Sequence, residues 1–167
     1  MLSFQVDIII RGKKAEKYQM LKNIYGWDLV DIYMMSGVLG FINNKKDIQD
    51  NDSKAVANLP RTVLNNRSSK IDFLCAVITL SEEIEADSDN AIKLAFEDNS
   101  ISQPKKLYKQ ELFDDYATGG IDILYEMLSN IDYENQVDNI RAIIERFVGN
   151  NGIVNRTVEE ILDEARL

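Results

Sequence analysis

The sequence predicts a mainly α-helical fold: one single-domain helical bundle over residues 1–167, about seven helices with a short N-terminal strand or extended arm. Three observations carry that reading. A chain of 167 residues that is 45% hydrophobic is long enough to bury one core. Apolar residues recur at spacings of three and four through most of its length, the period of a helix with one buried stripe. The one run that alternates and is β-branched, Phe4 to Ile10, has no convincing second strand to pair with.

Taken in order, Phe4 to Ile10 is the strand or arm and stops before Gly12. Lys13 to Asn23 reads as a helix with Tyr18, Leu21 and Ile24 on one side, and Gly26 ends it. Asp28 is placed to cap a second helix whose Leu29, Ile32, Tyr33, Met35, Val38, Leu39 and Ile42 leave little polar surface. A helix apolar on most sides is central, and Gly37 and Gly40 let a neighbour come close. Residues 43–66 are rich in Asn, Asp and Lys and read as a long polar loop holding Pro60 and Arg61. Ser69 is placed to cap a second core helix from Lys70 to Glu85, and Asp87, Ser88 or Asp89 to open a short one through Phe96. Pro104 suits the first turn of the next helix, with Tyr108, Leu112, Phe113 and Tyr116 facing inward.

Thr118-Gly119-Gly120 then predicts a corner, since each glycine costs a helix interior about 1 kcal/mol relative to alanine. The helical period resumes over Ile121 to Leu128. Two further helices are expected, from Asp132 through Phe147 and from Val158 to Ala165, the latter behind the capping box Thr157-x-x-Glu160.

Composition removes much chemistry. With no histidine, the His-based triads, the HExxH zinc proteases and His-ligated metals are excluded. Cys75 is the only cysteine, so no internal disulfide forms, and its apolar surroundings predict a buried, inert thiol. Neither GxxxxGK[ST] nor GxGxxG occurs, so no phosphate-cradling loop is predicted, nor any cofactor or metal. The start lacks a basic leader region and no apolar run approaches the roughly 18 residues of a membrane span, which together predict a cytoplasmic chain with no membrane contact.

The net charge of -9 is unevenly placed. Residues 1–80 carry 11 Lys/Arg against 8 Asp/Glu, and residues 81–167 carry 8 against 20. Such asymmetry can mark faces for two different partners, and solvated helix faces produce the same count. Arg11, Lys13, Lys14, Arg61 and Arg67 are the candidates for a weak DNA contact through the backbone phosphates. Asp114, Asp115 and Asp122 are the carboxylates that a metal-dependent nuclease would gather across the expected corner, and an exposed acidic face is the reading favoured over it.

Three stretches, Asp31 to Lys46, Leu59 to Leu64 and Phe113 to Leu124, resemble in order and spacing the small accessory proteins found with bacterial DNA phosphorothioation (Dnd-type) defence systems. The resemblance implies an anti-phage or DNA-modification context and DNA-modification or restriction proteins as partners. It transfers no active site. The expectation is therefore a non-enzymatic adaptor that docks through Pro60 and Arg61 in the polar loop and through Gly119 and Gly120 at the corner. A DNA-binding module and a metal-dependent nuclease are the alternatives. Oligomeric state is not legible.

Overall fold

The computed structural model describes residues 2–49, 53–84, 86–97 and 107–129. Its element order is β1 (Ile8–Arg11), α1 (Gly12–Tyr25), α2 (Leu29–Ile42), β2 (Val56–Leu59), α3 (Arg61–Asn66), α4 (Ser68–Glu83), α5 (Ser88–Phe96) and α6 (Tyr108–Ser129). The mainly α class with a short N-terminal strand is what the sequence predicts. The helices expected from Asp132 to Phe147 and from Val158 to Ala165 lie outside the described residues. The chain divides into two compact units, Met1–Glu126 and Met127–Leu167. Of the second unit, only the last residues of α6 are described. No helix among the described residues is long and apolar enough to cross a membrane.

The strand does find a partner. β2 pairs antiparallel with β1 in the register Ile8↔Leu59 and Ile10↔Ala57, and these four residues point into the core. Val56-Ala57-Asn58-Leu59 is only four residues long, which hides it inside a polar stretch, yet its burial alternates strictly, the mark of a strand with one buried face. The predicted loop over 43–66 is thus shorter than expected, because β2 and α3 take up its second half.

The N-terminal arm is tied down on the same side. Phe4 donates its N–H to Asn65 Oδ1 at 2.9 Å, and Asn65 Nδ2 donates to the Phe4 carbonyl at 3.0 Å. Asp7 accepts from the Arg61 N–H at 2.8 Å and from Asn58 Nδ2 at 2.9 Å. A helix that starts behind proline lacks its own side-chain cap, and here a carboxylate more than fifty residues upstream supplies one.

Gly26 closes α1 in the left-handed conformation at φ 68° and donates its N–H to the Lys22 carbonyl at 2.8 Å. Asp28 caps α2 by accepting from Val30 N–H, and Asp87 caps α5 by accepting from the N–H groups of Asp89 and Asn90. Ser69 does not cap α4, which begins at Ser68 directly after α3 with no side-chain cap. Tyr18 and Leu21 in α1 and Leu112, Phe113 and Tyr116 in α6 are buried as expected, and one member of each inner face differs. Tyr25 rather than Ile24 is buried in α1, and Lys109 rather than Tyr108 in α6.

The expected corner at Thr118-Gly119-Gly120 does not form: α6 is continuous through it. The two glycines sit where α6 crosses α2 and the segment that follows α2. A methyl group added at Gly120 would fall on the Ser36 carbonyl oxygen and 2.5 Å from Gly40 N, and one at Gly119 on the Lys45 carbonyl. Gly40 meets the Tyr116 carbonyl in the same way, and Gly37 the Phe113 ring. The propensity lost in two helical glycines is offset by backbones packed in direct contact. Around the crossing, Tyr33 meets Phe113 edge-on with ring centres 5.1 Å apart, and Phe41 meets Tyr116 at 5.6 Å. Each such pair contributes about 1 kcal/mol beyond its buried area.

Candidate functional site

The sequence-predicted site residues separate into two classes. Gly119 and Gly120 are buried, and the backbone they admit belongs to α2 and Lys45 of the same chain, so they present nothing to a partner. Pro60 is the residue before α3 and half-buried. Arg61 is exposed and uses Nη1 to donate to the Gln5 carbonyl at 3.2 Å.

The basic candidates do not gather into one patch. Lys14 is only 7% exposed and donates to Asp47 Oδ2 and Asp122 Oδ2, each at 2.7 Å. Lys17 reaches Asp122 Oδ1 at 2.8 Å, and Lys45 Nζ lies 3.4 Å from Asp122 Oδ2. Arg67 pairs with Asp31 at 3.1 Å. Arg11 and Lys13 remain on the surface. The charges of Lys14 and Arg67 are matched inside the chain and are poorly placed to neutralise phosphates.

The same geometry reassigns the carboxylates. Asp122 is a receptor for lysines. Burial pushes its carboxyl up, but the hydrogen bonds and charges of Lys14 and Lys17 outweigh burial and hold it below the ordinary value. Asp47 is lowered chiefly by its hydrogen bond from Lys14. Burial pulls Lys14 down, and its two carboxylate partners more than restore it. Asp114 accepts from the buried Tyr33 hydroxyl, and the Asp115 carbonyl accepts from the Asp47 N–H at 3.1 Å. Among the described residues, no group of three or more Cys, Asp or Glu side chains converges as metal binding requires. Cys75 is buried among apolar groups, which pushes its thiol far up and leaves it un-ionised.

A different place stands out. α4 and α5 pack side by side as a hairpin. Lys109, 1% exposed at the start of α6, donates to the Ala95 carbonyl at 3.0 Å and lies 2.9 Å from Asp72 Oδ1. One ammonium therefore joins the far end of α5 to the beginning of α4, which makes the two helices antiparallel. Between them lies a cleft of about 360 Å³ lined by Ser69, Asp72, Phe73, Ala76, Ala95, Phe96 and Lys109. Its two rim phenylalanines are in water: Phe73 is 67% exposed and Phe96 66%. Val77 and Ile92, each one helical turn from a rim phenylalanine, are exposed as well.

Sequence reasoning missed this face because it assigned the apolar first half of α4 wholly to the core. The available signal was an excess: Phe73, Val77, Ile92 and Phe96 exceed what the inner stripes of two helices need. Lys109 was also readable, since it falls four residues before Phe113 on the inner stripe of α6, where a charge demands a partner.

No protein-family model, curated protein or solved structure matches the chain.

Proposed function

We propose that this chain is a non-enzymatic accessory protein that acts by protein–protein contact beside the proteins of a DNA-modification or restriction system. The observation that carries the contact reading is the apolar face of the α4–α5 hairpin. Leaving Phe73 and Phe96 two-thirds exposed forgoes about 2 kcal/mol of burial for each, a cost that a docked partner would recover. The small floor residues Ala76 and Ala95 leave room for an inserted side chain.

The DNA-modification context rests on the resemblance of the three stretches to Dnd-associated accessory proteins. Two of them, Asp31 to Lys46 and Phe113 to Leu124, meet in this chain at the α2–α6 crossing, where glycines admit a neighbouring backbone. The third, Leu59 to Leu64, supplies the end of β2 and most of α3. In this reading the docking surface is the α4–α5 face, in place of the glycine pair.

The test is recovery of a tagged chain from its native cells. Wild-type protein is expected to bring down DNA-modification or restriction proteins, and the Phe73→Asp/Phe96→Asp variant to lose them while keeping its helical circular dichroism. A wild-type chain that leaves a native lysate only as a monomer would overturn the reading.

A further inference from the structure

We propose that the α4–α5 groove is built for one kind of occupant, an amphipathic helix of a partner protein that carries apolar anchors one turn apart and basic residues toward one end. The inference rests on the contact reading above and specifies its chemistry.

The apolar part follows from the hairpin. Phe73 and Val77 on α4 face the same way as a four-residue pair, as do Ile92 and Phe96 on α5. Because the two helices run antiparallel, Phe73 and Phe96 stand at the same end, over the Ala76 and Ala95 floor. This pattern receives the side chains of a helix laid along the groove.

The polar part lies at the other end. The turn between the helices is bordered by Glu82, Glu83, Asp87 and Asp89. Lys46 and the Tyr116 hydroxyl reach Glu82, each at 2.6 Å, and the Tyr108 hydroxyl reaches Glu83. Glu82, nine residues from Phe73 and so on the opposite side of α4, is paired with Lys46; Glu83, Asp87 and Asp89 leave the groove's own end negative. Phe73 and Glu83 are ten residues apart, which on a helix is about 15 Å. A partner helix laid along α4 would therefore place Lys or Arg about ten positions from its first apolar anchor.

Charge also argues about the source. Residues 130–167 carry eight carboxylates and four arginines, so this chain's own C-terminal segment has the wrong sign for the acidic end. The complement is a basic helix from another protein.

The experiment is selection from a displayed library of helical peptides on the purified full-length chain. Expected are peptides with Leu, Ile, Phe or Met four residues apart and Lys or Arg about ten positions from the first anchor. Their binding should weaken by at least about tenfold in Phe73→Asp/Phe96→Asp. Asp89→Lys should weaken it too and flatten its salt dependence, with circular dichroism unchanged in both variants. The proposal is overturned by no enrichment over bare support, by enrichment of acidic peptides, or by binding that survives the double substitution. It is also overturned if the wild-type chain runs as a dimer that the double substitution splits, because a second copy is then the occupant. Selection that fails while native DNA-modification proteins still copurify removes the basic helix and leaves the adaptor reading. Selection that succeeds while those proteins do not copurify keeps the groove and discards that reading.

Discussion

At Gly120 helix propensity and packing oppose each other. Helix propensity alone would reward Gly120→Ala by about 1 kcal/mol. The added methyl has no space, however, since it meets the Ser36 carbonyl and Gly40 N, both backbone atoms that cannot rotate away. Gly120→Ala is therefore expected to lose about 2 kcal/mol net in urea unfolding. Gly26 provides the contrast. A methyl there meets no atom within 4 Å, and the cost of Gly26→Ala is the left-handed backbone alone, about 1 kcal/mol. Asp122 is the second decisive residue. Asp122→Asn removes the charge that Lys14 and Lys17 share and one of the two acceptor oxygens, and is expected to destabilise by about 3 kcal/mol at pH 7. The pair Lys14→Met/Asp122→Leu should cost less than the sum of its single changes, and a double-mutant cycle reads the difference.

Among the elements, end signals were more legible than partners. Gly26, Asp28 and Asp87 act locally: each satisfies or terminates backbone within a few residues of itself, so the sequence alone reveals it. Asp87→Ala should cost about 1 kcal/mol and show first as faster amide exchange across α5. Interactions at long range were not legible. Nothing near Pro60 indicates that Asp7 caps α3, and nothing near Gly119 and Gly120 indicates that the missing side chains make room for α2 rather than a bend. A glycine pair in a helical pattern is ambiguous between a break and a close crossing, and only the neighbouring helix decides. The groove was obscured for a related reason. Periodicity shows which residues are apolar on a helix, but whether Phe73 faces the core or water depends on what packs against α4.

The whole molecule reads differently once its charges have partners. The basic N-terminal half and the acidic C-terminal half meet in the network of Lys14, Lys17 and Lys45 on Asp122, so part of the asymmetry is consumed inside the fold. Both signs of titration follow. The carboxyls of Asp122 and Asp47 are held below their ordinary value, so their contribution is complete above the unfolded value of about 4 and is lost as pH falls through the folded one. Lys14 is raised, so its contribution is complete below about 10.5 and lost as pH rises through its folded value. Urea midpoints are expected to be flat from about pH 5 to pH 9 and to fall at both ends, with the acid limb reduced in Lys14→Met/Asp122→Leu. For DNA the expectation is negligible retention in a gel-shift titration even at low salt, because Lys14 and Arg67 already have carboxylate partners.

The α2–α6 crossing also bears on how the chain is made. Translation delivers α2 well before α6, whose first residue is Tyr108. Until then the Ser36-Gly37-Gly40 surface has nothing to cover it, and the nascent chain displays an apolar helix with its backbone accessible. Synthesis halted after α5 should yield a fragment that binds hydrophobic dye and precipitates, while release of the full chain cures both. That surface stays uncovered for the time the ribosome needs to complete α6.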